Sequence, residues 1–162
     1  MQSVYLETSV IGHLTSRISL DLVTAGHQQS TITWWKEHRQ QYDLFISEPV
    51  ISELAAGNPT MAAERLDAVA GISVLKETDE VTALSIRLVH AVPLPEKAVV
   101  DALHIALASY HGIDYLLTWN CRHIANANTM DRIRDICKAE GHFASRIVTV
   151  EQLIANHDGE VL

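Results

Sequence analysis

Residues 98–120 read AVVDALHIALASYHGIDYLLTWN, and this stretch decides the fold class. Up to His111 it is apolar on almost every side of a helix, and a helix apolar all round is buried. Gly112 suits a helix stop, because glycine accepts the left-handed backbone that ends helices. DYLLTW (114–119) follows as a short apolar run of the kind that forms a buried strand. A buried helix leading into a buried strand is the repeating unit of an α/β sheet.

The same alternation extends in both directions. SVYLE (3–7), YDLFIS (42–47), ISVLK (72–76) and SRIVTV (145–150) read as further strands. A long helical stretch follows the first of these strands and runs through Leu20 to about Arg39. A helix opens at Pro49 and ends near Gly57, where proline suits the first turn and glycine the stop. Another covers about 60 to 70 and stops at Gly71. Thr78 caps a helix to about His90, with Asp79 and Glu80 in its first turn. The apolar helix spans Glu96 to His111, a later one about Thr129 to Glu140, and a last turn or two covers 151–156. Strands separated by helices need crossover connections. The expectation is one domain over 1–162, a three-layer α/β/α fold with a mostly parallel central sheet.

The chain has 162 residues, 48% hydrophobic and 20% charged, an ordinary balance for a globular domain. No run of about 18 apolar residues predicts a membrane span, and MQSVYLETSV lacks the basic and apolar regions of a signal peptide. Two cysteines, Cys121 and Cys137, make no disulfide framework, so a reducing cytoplasm is expected. The net charge of −8 excludes a general nucleic-acid coat, which is basic. It does not exclude a nuclease, because a hard cation needs clustered carboxylates and then supplies positive charge itself.

In a parallel sheet, ligands bind at the carboxyl ends of the strands. Glu7 ends the first strand. Glu53 lies one turn into the helix after the second. Asp101 sits near the start of the apolar helix, where an unpaired carboxylate costs several kcal/mol and must be paired, protonated or bound to a cation. Asn120 follows the fourth strand. His104, three residues after Asp101, shares its helix face and reads first as a satisfied core histidine. Oxygen-only ligands at one edge point to Mg²⁺ or Mn²⁺ rather than zinc.

At these residues the sequence resembles the PIN-domain ribonucleases of the VapC toxin type, over nearly the whole chain. The matching motifs are Tyr5-Leu6-Glu7-Thr8-Ser9, Ile51-Ser52-Glu53-Leu54, Asp101-Ala102-Leu103-His104-Ile105-Ala106 and Leu117-Thr118-Trp119-Asn120. Two positions depart from the family pattern: Glu7 stands where Asp is usual, and Asn120 replaces the usual fourth acid. The resemblance implies a metal-dependent endoribonuclease acting on RNA, a toxin restrained by a small antitoxin, and a homodimer. Glu7, Glu53, Asp101 and Asn120 are then the catalytic set, with Glu7, Asp101 and Glu53 on Mg²⁺ or Mn²⁺. Thr8, Ser9, Thr118, Arg122 and His104 support them or meet the substrate.

Other readings rank lower. The turn Glu7-Thr8-Ser9-Val10-Ile11-Gly12 lacks the glycines of a dinucleotide or phosphate loop. Cys121, His123, Cys137 and His142 match no common zinc spacing. Lys97 and Arg122 are phosphate candidates, whereas Arg132, Arg134 and Lys138 read as a solvated helix face. Trp34 and Trp35 suit either a dimer contact or the core. The rival from another class is a catalytically weak PIN-like domain that binds RNA or a protein without cutting, and Asn120 keeps it open.

Overall fold

The computed structural model describes residues 1–91, 99–120 and 127–159. The strands are β1 (Gln2–Leu6), β2 (Tyr42–Ser47), β3 (Ser73–Leu75), β4 (Tyr115–Leu117) and β5 (Arg146–Val148). They form one five-stranded sheet in the order β3-β2-β1-β4-β5, with every pairing parallel. The fold is α/β, as the alternation of elements predicts.

The helices are α1 (Thr8–Thr15), α2 (Leu22–Glu37), α3 (Glu48–Leu54), α4 (Pro59–Ala68), α5 (Asp79–Ala91), α6 (Val99–Tyr110), α7 (Ala127–Ala139) and α8 (Val150–Gly159). Helix α1 packs on α2, α3 and α4, and α2 packs on α8, whereas α5 packs on α6 and α7. The topology explains this grouping. The chain crosses from β1 to β3 on one side of the sheet, then returns from β3 to β5 in the opposite direction. Crossovers of one hand place helices from the two directions on opposite faces.

One expectation needs correction. The long helical stretch that follows the first strand, through Leu20 to about Arg39, is two helices, α1 and α2. Ser16 ends α1, and its hydroxyl donates to the Gly12 carbonyl at 2.6 Å. Asp21 starts α2 by accepting from the Thr24 amide at 2.9 Å. Neither signal involves glycine or proline, so hydrophobic periodicity runs through the break. Elsewhere the punctuation holds. Gly112 (φ 70°) and Gly141 (φ 79°) take the left-handed conformation after α6 and α7.

Val4, Tyr5 and Leu6 of β1 and Leu117 of β4 are completely buried, as are Ala106, Leu107 and Ala108 of α6. Trp34 is also completely buried, so it belongs to the core, while Trp35 carries the Arg39 guanidinium 4.4 Å from its ring centre. Among the described residues, no helix is long and apolar enough to cross a membrane.

Candidate functional site

The strand order reverses at β1: β2 lies on one side and β4, reached after β3, on the other. The crevice at the carboxyl ends of β1 and β4 is therefore the topological switch point, where open α/β sheets bind ligands. Glu7 follows β1 directly, and its amide donates to the Leu117 carbonyl of β4 at 3.1 Å. The carboxylate is 5% exposed. Its Oε2 accepts from the Ser9 amide at 3.0 Å, from the Ser9 hydroxyl, and from the Thr118 hydroxyl at 2.9 Å. Among the described residues all these bonds fall on Oε2 and none on Oε1. A buried carboxylate survives only with such donors or a cation.

Ser9 is the node of this corner. Besides serving Glu7, its hydroxyl accepts from the Trp119 amide at 2.9 Å, and its carbonyl accepts from His13 Nδ1 at 2.8 Å. Trp119 stacks on His27 with 4.1 Å between ring centres, and its indole donates to the Thr31 hydroxyl at 3.0 Å. The loop after β4 is thereby pinned to α1 and α2.

Glu53 arrives from α3. The Ser47 cap and Pro49 set the start of that helix directly at the end of β2. Glu53 Oε1 meets His104 Nε2 of α6 at 2.9 Å. His104 is 1% exposed, and its Nδ1 meets the Tyr5 hydroxyl at 2.6 Å, which in turn meets the Ser47 hydroxyl at 2.7 Å. Burial raises the Glu53 carboxyl, but His104 and Thr8 together outweigh it and hold the group below the usual glutamate range. The Thr8 hydroxyl also favours the ionised form, although it falls short of full hydrogen-bond geometry. An ionised carboxylate only accepts, so His104 Nε2 carries the proton. Burial drives the Tyr5 phenol far above its ordinary range, so it stays protonated. With the ring neutral, the chain runs Ser47 to Tyr5 to His104 to Glu53, each group donating to the next.

Glu7, Glu53 and His104 form one group whose possible ligand atoms all lie within 4.8 Å of one another. The structure thus brings together Glu7, Glu53, His104, Ser9 and Thr118 from the sequence-derived set, with Thr8 beside Glu53. Asp101 is buried on α6, one turn before His104, but stands outside the 4.8 Å group, and it is not an unpartnered carboxylate. Asn120 is exposed, and its amide donates to the Thr118 hydroxyl at 3.0 Å. Arg122, Lys97, Cys121 and His123 lie outside the described residues. Cys137 is buried beside Ile133 and joins no metal-ligating group among the described residues.

Sequence reasoning underrated His104 and missed Tyr5 and Ser47. The three meet only through the fold, at separations of 99 residues for Tyr5 to His104 and 42 for Tyr5 to Ser47. A protein-family scan finds no matching model, and a search of curated proteins finds no match.

Proposed function

We propose that this chain is a single PIN-like domain, 1–162, acting as a metal-dependent endoribonuclease of the VapC toxin type. In this reading it works in the cytoplasm, is held in check by a small antitoxin, and forms a homodimer. The observation that carries the proposal is the meeting of Glu7 and Glu53 at the switch point of a parallel sheet, with ligand atoms within 4.8 Å. Resemblance at the four motifs quoted above supplies the reaction class.

The residues fit a hard cation. Mg²⁺ and Mn²⁺ prefer oxygen ligands. Glu7 is anchored through Oε2 and Glu53 through Oε1, which leaves each carboxylate its second oxygen. Glu7 and Glu53, with Asp101 near the start of α6, would hold the ion. When bound, such an ion polarises phosphoryl oxygens and lowers the pKa of a coordinated water. The protein's own groups do the positioning. Ser9 and Thr118 fix the Glu7 carboxylate, and His104 fixes Glu53 so that it orients the attacking water.

The test is cleavage of single-stranded RNA by wild type, Asp101→Asn and Glu53→Gln, with and without Mn²⁺. The expected result is Mn²⁺-dependent cleavage by wild type alone. Equal residual cleavage by all three proteins would sink the proposal. RNA or protein binding without cleavage by wild type favours the non-cutting domain, for which the uncharged Asn120 is the supporting feature.

A further inference from the structure

An open groove of about 610 Å³ starts at Glu53 and runs along α1. Thr8, Ser9, His13, Arg17, Glu53 and Arg65 are among the residues lining it. Its two arginines come from separate elements: the Arg65 guanidinium and the Arg17 backbone are held in place, and no described acid neutralises either.

Arg65 lies on α4. Its Nε donates to the Leu54 carbonyl at 3.0 Å and its Nη2 to the Ala56 carbonyl at 2.6 Å. The Leu54 carbonyl is an orphan at the end of α3, and the Ala56 carbonyl lies just beyond it. The contact fixes the guanidinium but leaves its charge, and no acid pairs with Arg65 among the described residues. Arg17 lies on the connection between α1 and α2, and no described acid pairs with it either. Its backbone is clamped by Gln28 of α2, which is 3% exposed. Gln28 Nε2 donates to the Arg17 carbonyl at 2.9 Å, and Oε1 accepts from the Ser19 amide at 2.8 Å. A buried amide is costly unless its hydrogen bonds are made. Here those bonds fasten the loop that carries Arg17.

With a net charge of −8, the molecule as a whole repels a polyanion. Two arginines with no acid partner among the described residues, on a groove that ends at a carboxylate, are a local exception. Guanidinium is also the cation best shaped for phosphate. We propose that this groove seats the phosphodiester backbone of single-stranded RNA, with Arg65 and Arg17 contacting successive phosphates on one side of the cleaved bond. The inference rests on the nuclease reading of the carboxylate site and adds the path of the strand.

The experiment measures binding of a labelled single-stranded RNA oligonucleotide by fluorescence anisotropy across a salt series, without divalent ions. Wild type is compared with Arg17→Gln, Arg65→Gln and the double variant, and with Arg87→Gln on α5, across the sheet, as control. Each lost phosphate contact on a single strand lowers the salt slope by about 0.7. The double variant should therefore lose about 1.4 from its slope and bind more weakly, while Arg87→Gln matches wild type. Arg17→Gln replaces an exposed side chain and carries the test alone should Arg65→Gln loosen α3. Wild-type slopes in the folded variants, with Mn²⁺-dependent cleavage intact, overturn the groove and leave the nuclease reading standing. Absence of both RNA binding and cleavage in wild type removes the two together. Arginine-dependent binding of poly-glutamate with no binding of RNA overturns the proposal in favour of an acidic protein partner.

Discussion

The Thr118 hydroxyl donates to Glu7 Oε2 at 2.9 Å, linking residues 111 apart across the point where the strand order reverses. Both groups are buried, at 2% and 5% exposure. A hydrogen bond to a charged group contributes about 1.5–3 kcal/mol. Thr118→Val keeps the shape but removes both this donor and the acceptor of the Asn120 amide, so urea unfolding should show a loss of at least that range. A loss below about 0.5 kcal/mol, the level of a surface substitution, would mean that Ser9 alone satisfies Glu7.

Tyr5→Phe removes the hydroxyl between Ser47 and His104. The His104 ring then keeps Glu53 but loses its second partner. An unsatisfied buried polar group costs about 1–3 kcal/mol, and thermal or urea unfolding should register that loss. The direction of the chain is tested on the wild-type protein. Nitrogen NMR of wild type, at a pH where the ring is neutral, should find the proton on Nε2 and none on Nδ1. The opposite tautomer would reverse the direction of the chain.

Acid stability should depend on Glu53. Its folded carboxyl sits below the ordinary glutamate range, because His104 and Thr8 together outweigh the opposing effect of burial. A depressed folded pKa stabilises the fold above the unfolded value, about 4.3, and that contribution is lost as pH falls through the folded value. The stability difference between wild type and Glu53→Gln should therefore be constant near neutrality and shrink below the ordinary glutamate pKa. A difference that stays constant from neutral to strongly acid pH rejects the shift.

Asn120→Asp adds a negative charge to the loop beside Thr118 and Glu7. More ligand charge tightens cation binding. In the metal-site reading, Mn²⁺ titrated by calorimetry should bind the variant several-fold more tightly than wild type, and Glu7→Gln more weakly. Unchanged affinity in both variants would place any cation elsewhere.

Much of the fold was legible because its signals are local. Apolar runs marked the strands, Gly112 and Gly141 marked helix ends, and Pro49 marked the start of α3. The break between α1 and α2 was not legible. Ser16 and Asp21 act there through side-chain bonds to nearby backbone, and such residues also occur on solvated helix faces. For the site, Glu7 and Glu53 stood out by their places at a strand end and one turn into a helix, and Thr118 came only with the family resemblance. His104 was read against Asp101, its neighbour at helical spacing, because spacing along one helix is all that a local pattern reports. Its observed partners are Tyr5 and Glu53, at separations of 99 and 51 residues.

The sequence by itself determined the α/β class, the run of elements and the candidates at one sheet edge. Those follow from periodicity and from residues that start or stop elements within a few positions. Only the tertiary structure decided that β4 lies beside β1, and that juxtaposition creates the crevice holding Glu7 and Thr118. It likewise chose Glu53 as the partner of His104, anchored Arg65 on the end of α3, and placed Arg17 on the same groove. The physical reason is shared. Each is a contact between residues distant in the chain, decided by how helices and strands pack rather than by the conformation of any one of them.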